Sequence, residues 1–195
     1  MPIKPVLAAL GAMLLAGCVS IGAGGKPPEQ LYTLTSVATV AAGATSEGDV
    51  AGALAVTEPS VPHHLDVLRV PVQVNANSLA YLQDAVWSEK PARLFQRVLA
   101  ETIRSRGGRL VVGAGELEYA AQTALGGDLL AMGYDATRGR VIVRYDAMLR
   151  LPDGTVRTRR FESEVTGVPA DATLVGPALN RAANDVAAQV ADWVG

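Results

Sequence analysis

The run Arg140-Val141-Ile142-Val143-Arg144-Tyr145-Asp146-Ala147-Met148-Leu149-Arg150-Leu151, closed by Pro152-Asp153-Gly154, decides the fold class. Val141, Val143, Tyr145, Ala147, Leu149 and Leu151 recur with period two and share one face of a strand. Arg140, Arg144, Asp146 and Arg150 take the other face. Pro152 presets φ and Gly154 accepts a left-handed conformation, so the chain turns and returns. Charge selects the register of the return. A three-residue loop sets Leu151 opposite Thr155, with Tyr145 facing Phe161 and Val141 facing Val165 inside, while Asp146 meets Arg160 and Arg144 meets Glu162 outside. A two-residue loop would set Arg150 against Arg157 and Tyr145 against Glu162, so the first register is preferred. It leaves Arg157 and Arg159 on the apolar face beside the turn, which predicts a hairpin tip that protrudes past the core and carries Arg150, Arg157 and Arg159.

Upstream, Thr123 onward supplies the first strand of a three-strand antiparallel meander. Before it, Leu94, Phe95, Val98, Leu99, Thr102 and Ile103 fall on one stripe of a helix, with Arg93, Gln96, Arg97, Glu101 and Arg104 opposite. Ser88 is the expected N-cap and Pro91 suits the first turn; Arg104 and Arg106 complement the dipole, and Gly107-Gly108 stops the helix. Leu110-Val111-Val112 then returns as a short strand. Earlier strands are expected at Gln30 to Leu34, Leu54 to Val56 and Val67 to Val74, where Pro71 demands an edge or a bulge. Between the first two, Ser36 to Gly52 is rich in Ala, Gly, Ser and Thr and reads as a flexible excursion. Asp171 or Thr173 caps a last helix to Val194, with Leu179, Ala182, Ala183, Val186, Ala187, Val190 and Trp193 inward and Pro177 near its first turn. Two long amphipathic helices on one face of a mostly antiparallel mixed sheet make a two-layer α+β domain.

The chain begins differently. Lys4 precedes an uncharged run from Val6 to Ala16, too short for a bilayer span and right for a secretory leader. Leu15-Ala16-Gly17-Cys18 resembles the bacterial lipobox, in which the cysteine thiol takes diacylglycerol, the leader is cut before it and the new amine is acylated. The alternative is an ordinary leader with an incidental cysteine. The lipobox reading divides the chain into leader 1–17, flexible Gly- and Pro-containing tether 18–28 and domain 29–195. Two or more acyl chains, at about 0.8 kcal/mol per buried methylene, tether permanently without spanning. Val19, in place of the aspartate that retains lipoproteins at the inner membrane of many Gram-negative bacteria, resembles the residue passed to the outer membrane.

Lys and Arg total 17 against 19 Asp and Glu. That balance lacks the basic excess a nucleic-acid partner asks for. Cys18 is the chain's one cysteine, so with it lipidated the domain holds by packing without disulfides.

The ordered set Leu31-Tyr32-Thr33-Leu34, Val67-Leu68-Arg69-Val70, Tyr81, Trp87, Leu94-Phe95-Val98-Leu99, Gly107-Gly108 and Ala178-Leu179-Asn180-Arg181-Ala182 to Trp193-Val194, behind a lipobox, resembles the ABC-type transport auxiliary lipoproteins. That family includes the outer-membrane lipoprotein of the paraquat-inducible system. The insertion after Ser36 and Pro177 inside the last motif depart from the pattern. The resemblance implies a fold similar to the N-terminal domain of TolB and a periplasm-facing, outer-membrane location. It also implies work with an inner-membrane ABC transporter and its MCE protein in lipid movement between membranes, and ring-forming oligomers that receive the MCE tunnel. A structural envelope lipoprotein without a transporter partner is the alternative; neighbouring ATPase and MCE genes distinguish the two.

No catalytic residue, cofactor or metal site is assigned. His63 and His64, the chain's two histidines, point apart in an extended segment and read as a solvated loop rather than metal ligands. Ser60, His63 and Asp66 contain the ingredients of a triad but lack a nucleophile elbow. Gly113-Ala114-Gly115-Glu116 lacks the lysine of a phosphate loop. Tyr81 and Trp87 are expected to pack the start of the first helix, and Trp193 to join the core or a subunit contact. Arg150, Arg157 and Arg159 are the candidate contacts for lipid headgroups or an acidic partner.

Overall fold

The computed structural model describes residues 30–113 and 120–195. Within them the chain runs β1 (Leu54–Val56), β2 (Arg69–Asn75), β3 (Ser78–Val86), α1 (Pro91–Arg106), β4 (Val111–Val112), β5 (Thr123–Asp135), β6 (Arg140–Arg150), β7 (Val156–Thr166) and α2 (Ala172–Val194). The leader, Cys18, the tether and Ala114-Gly115-Glu116 lie outside the described residues.

β5 is the axis of one mixed sheet. Along one edge it carries β6 antiparallel over its whole length, and β6 carries β7. Along the other edge it carries β1 and then β2, both parallel, with Ser60 bridging to Asp128 between them. β4 flanks β1 and β3 flanks β2, so the sheet is split into two wings on that side. Gly127 is required where β5 meets β6: at φ 131°, a Cβ there would stand 2.0 Å from the Asp146 carbonyl oxygen.

Both helices cover the same face. α1 buries Leu94, Phe95, Val98, Leu99, Thr102 and Ile103, as its periodicity predicts. α2 buries Leu179, Ala182, Ala183, Val186, Ala187 and Val190, whose small side chains admit close approach to the sheet. The layers lock through edge-on aromatic pairs, Phe95 with Tyr145 at 5.2 Å and Phe161 with Trp193 at 5.6 Å. Each large side chain buried here contributes about 1.5–3 kcal/mol. The α+β two-layer class is as expected.

Several details differ from the sequence reading. Lys90, not Ser88, is the N-cap of α1 and gives no side-chain cap; Pro91 at the first position has no N–H to satisfy, so less capping is needed. Gln96 is buried rather than exposed, and its Nε2 donates to the Val56 carbonyl at 2.8 Å. β3, a strand that no alternating pattern announces, follows β2 as a hairpin. Pro71 lies beside a shift in the β2–β3 register, the bulge its missing donor requires, although β2 is paired on both sides. Residues 30–34 form no strand: Tyr32 alone bridges to Trp87, its N–H donating to Val86 O and its carbonyl accepting from Ser88 N.

Candidate partner-binding surface

The β6–β7 hairpin has the register that charge selects. Tyr145 faces Phe161, Val141 faces Val165, Asp146 faces Arg160 and Arg144 faces Glu162, with Leu151 N donating to Thr155 O at 2.8 Å across the turn. On the outer face, which the two helices leave uncovered, Arg160 grips Asp146 with two donors, Nε to Oδ1 and a terminal nitrogen to Oδ2, each at 2.6 Å. Arg144 pairs with Glu162, and Arg140 pairs with both Asp135 and Glu164. The hydrogen bonds from Arg160 hold the Asp146 carboxyl below the usual range, and the one from Arg144 does the same for Glu162. Asp135 is lowered too, first by the Thr137 hydroxyl and then by Arg140. On the inner face, burial pushes the Tyr145 phenol up and keeps it neutral; its O–H donates to Gly126 O.

The three tip arginines do not share a face. Arg150 lies on the outer face, exposed, reaching Gln122 O at 3.4 Å. Arg157 and Arg159 stand on the inner face opposite Leu149 and Ala147. Arg159 sits with its guanidinium 5.0 Å from the Phe161 ring centre. Among the described residues none of the three has an ion-pair partner. Asp153 is lowered chiefly by the Thr155 backbone N–H, with a smaller contribution from Arg157.

The overhang is narrower than expected. Val156 to Arg160 are all exposed, yet Ala147 and Leu149 directly across are buried. β5 supplies Leu125 beside Leu149, whereas among the described residues β7 is the last strand on that side. The protruding element is therefore the turn and the first half of β7, not both strands.

A second surface was not anticipated. Ser36 to Val40, read from composition as flexible, is pinned across the helices. Thr35 N donates to Asn180 Oδ1 at 2.9 Å, Val37 N to Asn184 Oδ1 at 2.8 Å and Val40 N to Glu101 Oε1 at 2.8 Å; Asn184 Nδ2 donates to Thr35 O at 2.9 Å. This strap separates two clefts. One of about 950 Å³ lies against Arg93, Arg97 and Arg104, and one of about 670 Å³ lies against Arg106, Arg181 and Asp185. A signal was present: asparagines at i and i+4 on a helix surface, where their side chains favour backbone partners over helix propensity.

Asp66 pairs with Lys90 at 2.8 Å and Ser60 is tied to β5 through its backbone, so no side-chain hydrogen bond joins Ser60, His63 and Asp66 among the described residues. His64 borders a recess of about 200 Å³ with Pro71, Gln73 and Arg140, while His63 is exposed. No group of three His, Cys, Asp or Glu able to hold a metal occurs among the described residues. Trp87 is core, edge-on to Tyr32 at 6.4 Å, and Arg69 covers the Tyr81 ring at 4.4 Å.

The family model for the ABC-type transport auxiliary lipoprotein component matches residues 32–191. The chain belongs to this family. The match opens at Tyr32, the residue that docks beside Trp87, and closes within α2. The fold is similar to that of protein XCC0632 from Xanthomonas campestris, of family DUF330. That match has 17% identity and a TM-score of 0.68, and covers 85% of this chain and 94% of that one. A crystal structure titled only as an uncharacterized protein is also similar, at 14% identity and a TM-score of 0.65 over 85% of this chain and 100% of the other. No curated protein matches the chain.

Proposed function

We propose that this auxiliary lipoprotein is anchored through Cys18 to the outer membrane, faces the periplasm, and serves as a non-catalytic subunit of an MCE/ABC-type system that moves lipid between membranes. The observation that carries the reading is the order of two features: a lipobox at Leu15 to Cys18, then a family domain matched from Tyr32 to Ala191. The leader is removed, residues 18–28 act as tether, and the domain from 29 onward docks on the MCE protein. Copies of the domain form a ring that receives the end of the MCE tunnel. Arg157 and Arg159 on the exposed overhang, with Arg150 on the outer face beside the turn, have no ion-pair partner among the described residues and are the groups that meet acidic residues of the partner.

The test is recovery of the MCE protein from the native membranes by full-length wild type and by Arg157→Ala/Arg159→Ala. Recovery by wild type and at least tenfold weaker recovery by the variant are expected. If wild type recovers no transporter component, the reading fails. If the variant recovers as much as wild type, the role of the tip fails.

A further inference from the structure

Among the described residues the sheet has three outer edges, and they differ. β4 offers two residues. β3 is interrupted: six residues from Tyr81 to Val86 oppose three, Arg69 to Pro71, Asp84 is thrown to φ 54°, and Tyr32 closes the end of the strand. Such bulges and covers blunt an edge against further pairing. β7 has neither. It pairs with β6 in unbroken register for eleven residues, Val156 to Thr166, and contains no proline. Because Leu151 and Thr155 are hydrogen-bonded to each other, the odd-numbered residues of β7 turn their backbone groups toward β6. Val156, Thr158, Arg160, Glu162, Glu164 and Thr166 turn theirs outward. Among the described residues the side-chain hydrogen bond to this outward row is that of Gln189, whose Nε2 lies 3.4 Å from Glu162 O, a long and weak contact.

The charges along β7 are ordered. Arg157, Arg159 and Arg160 precede Phe161; Glu162 and Glu164 follow it. A strand that is basic in its first half and acidic in its second is complementary to itself when reversed. We infer that β7 pairs antiparallel with β7 of a second copy of this chain, about a two-fold axis through Phe161.

Backbone geometry restricts the registers. A two-fold perpendicular to the sheet keeps like faces together, so the axis must pass through a residue position. Through Arg159 or Arg160 it opposes two arginines; through Glu162 or Glu164, two glutamates; through Ser163 it sets Glu162 against Glu164. Through Phe161 it sets Arg160 opposite Glu162 of the second copy, Thr158 opposite Glu164 and Arg159 opposite Ser163. Since Arg160 already holds Asp146 and Glu162 already holds Arg144, the contact completes a row of alternating sign across four strands. Asp146 and Arg160 of one copy are followed by Glu162 and Arg144 of the other, twice by symmetry. Against a strand without this pattern the same charges repel or stay unpaired, so they select a partner. The pairing closes at two copies, distinct from the head-to-tail contacts of a ring, and does not rest on the transport reading.

The test uses the full chain carrying Thr158→Cys/Glu164→Cys. In the stated register these positions face each other at about 5.5 Å between Cα atoms, within disulfide range. Either single substitution leaves like positions roughly 20 Å apart. Mild oxidation is expected to give a reducible dimer from the double variant and not from either single one, with wild type reporting any background from Cys18. Adding Asp146→Arg/Arg160→Glu keeps the pair within each copy but opposes like charges between copies, and at least a tenfold loss of dimer is expected. No dimer from the double variant in a protein that melts like wild type overturns the inference. So does equal dimer from a single variant, or undiminished dimer after the charge swap.

Discussion

The ring of Tyr32 occupies the space where a side chain on Gly176 would stand. A Cβ at position 176 would lie 2.3 Å from two ring carbons. This explains a glycine inside the buried face of α2, where it costs about 1 kcal/mol against alanine. Gly176→Ala is expected to destabilise the domain by about 1–2 kcal/mol, because overpacking of about 1–3 kcal/mol exceeds the propensity gained. In a Tyr32→Ala background the sign reverses and the same change stabilises by about 0.5–1 kcal/mol. A double-mutant cycle by denaturant unfolding checks it, and simple additivity would refute the contact.

Asn180 and Asn184 hold the strap by side-chain amides. Asn180→Ala/Asn184→Ala is expected to speed hydrogen exchange at the Thr35 and Val37 amides about tenfold, at roughly 1 kcal/mol for each bond set removed, with little change in the melting of the domain. Exchange at the Leu54 amide, which donates to Leu110 O, is the internal control.

Gln96 and Arg97 are neighbours with opposite situations. Gln96→Ala strands the Val56 carbonyl and opens a buried gap, for an expected loss of about 2–3 kcal/mol. Arg97→Ala removes an exposed pair with Glu89 and is expected to cost under about 1 kcal/mol. Urea midpoints of the two variants would rank them.

The lowered carboxyls of Asp146 and Glu162 fix the sign of a pH effect. A carboxyl depressed in the folded state stabilises fully above its unfolded value, about 3.9 for Asp and about 4.3 for Glu, and loses that contribution as pH falls through the folded value. Asp146→Asn/Glu162→Gln is therefore expected to melt below wild type at pH 7. The gap narrows through about pH 4 and closes at lower pH. A gap that widened in acid would contradict the ion pairs.

The hairpin was legible in the sequence because two independent signals coincide there, alternation of apolar residues and pairing of opposite charges. Asp146 with Arg160 and Arg144 with Glu162 leave one register standing. The inward stripes of α1 and α2 were legible from periodicity. Gln96 was not: a polar residue bordering the stripe reads as exposed, and only β1 beneath it, with its Val56 carbonyl, makes burial favourable. β3 was hidden because Ser78 to Val86 lacks alternation, its register being broken by the bulge between Tyr81 and Val86. The strap was hidden because composition reports what a segment does alone, whereas Thr35 and Val37 are ordered by residues 145 and 147 positions away. At the tip, the exposure of Arg157 and Arg159 was legible, but the burial of Leu149 across from them depends on β5.

Tyr32 is also where mechanical load enters the domain. With Cys18 lipidated as proposed, fourteen residue steps separate it from Tyr32, so the domain can drift at most roughly 50 Å from the leaflet that holds it. Any tug on that leash is borne first by the Tyr32 backbone bonds to Val86 and Ser88 and by the ring seated against Gly176, next by the asparagine clips, and by a strand only after those. A jostled membrane would thus loosen the Tyr32 seat at the end of β3 and then the clips, and leave the basic overhang on β7 at rest.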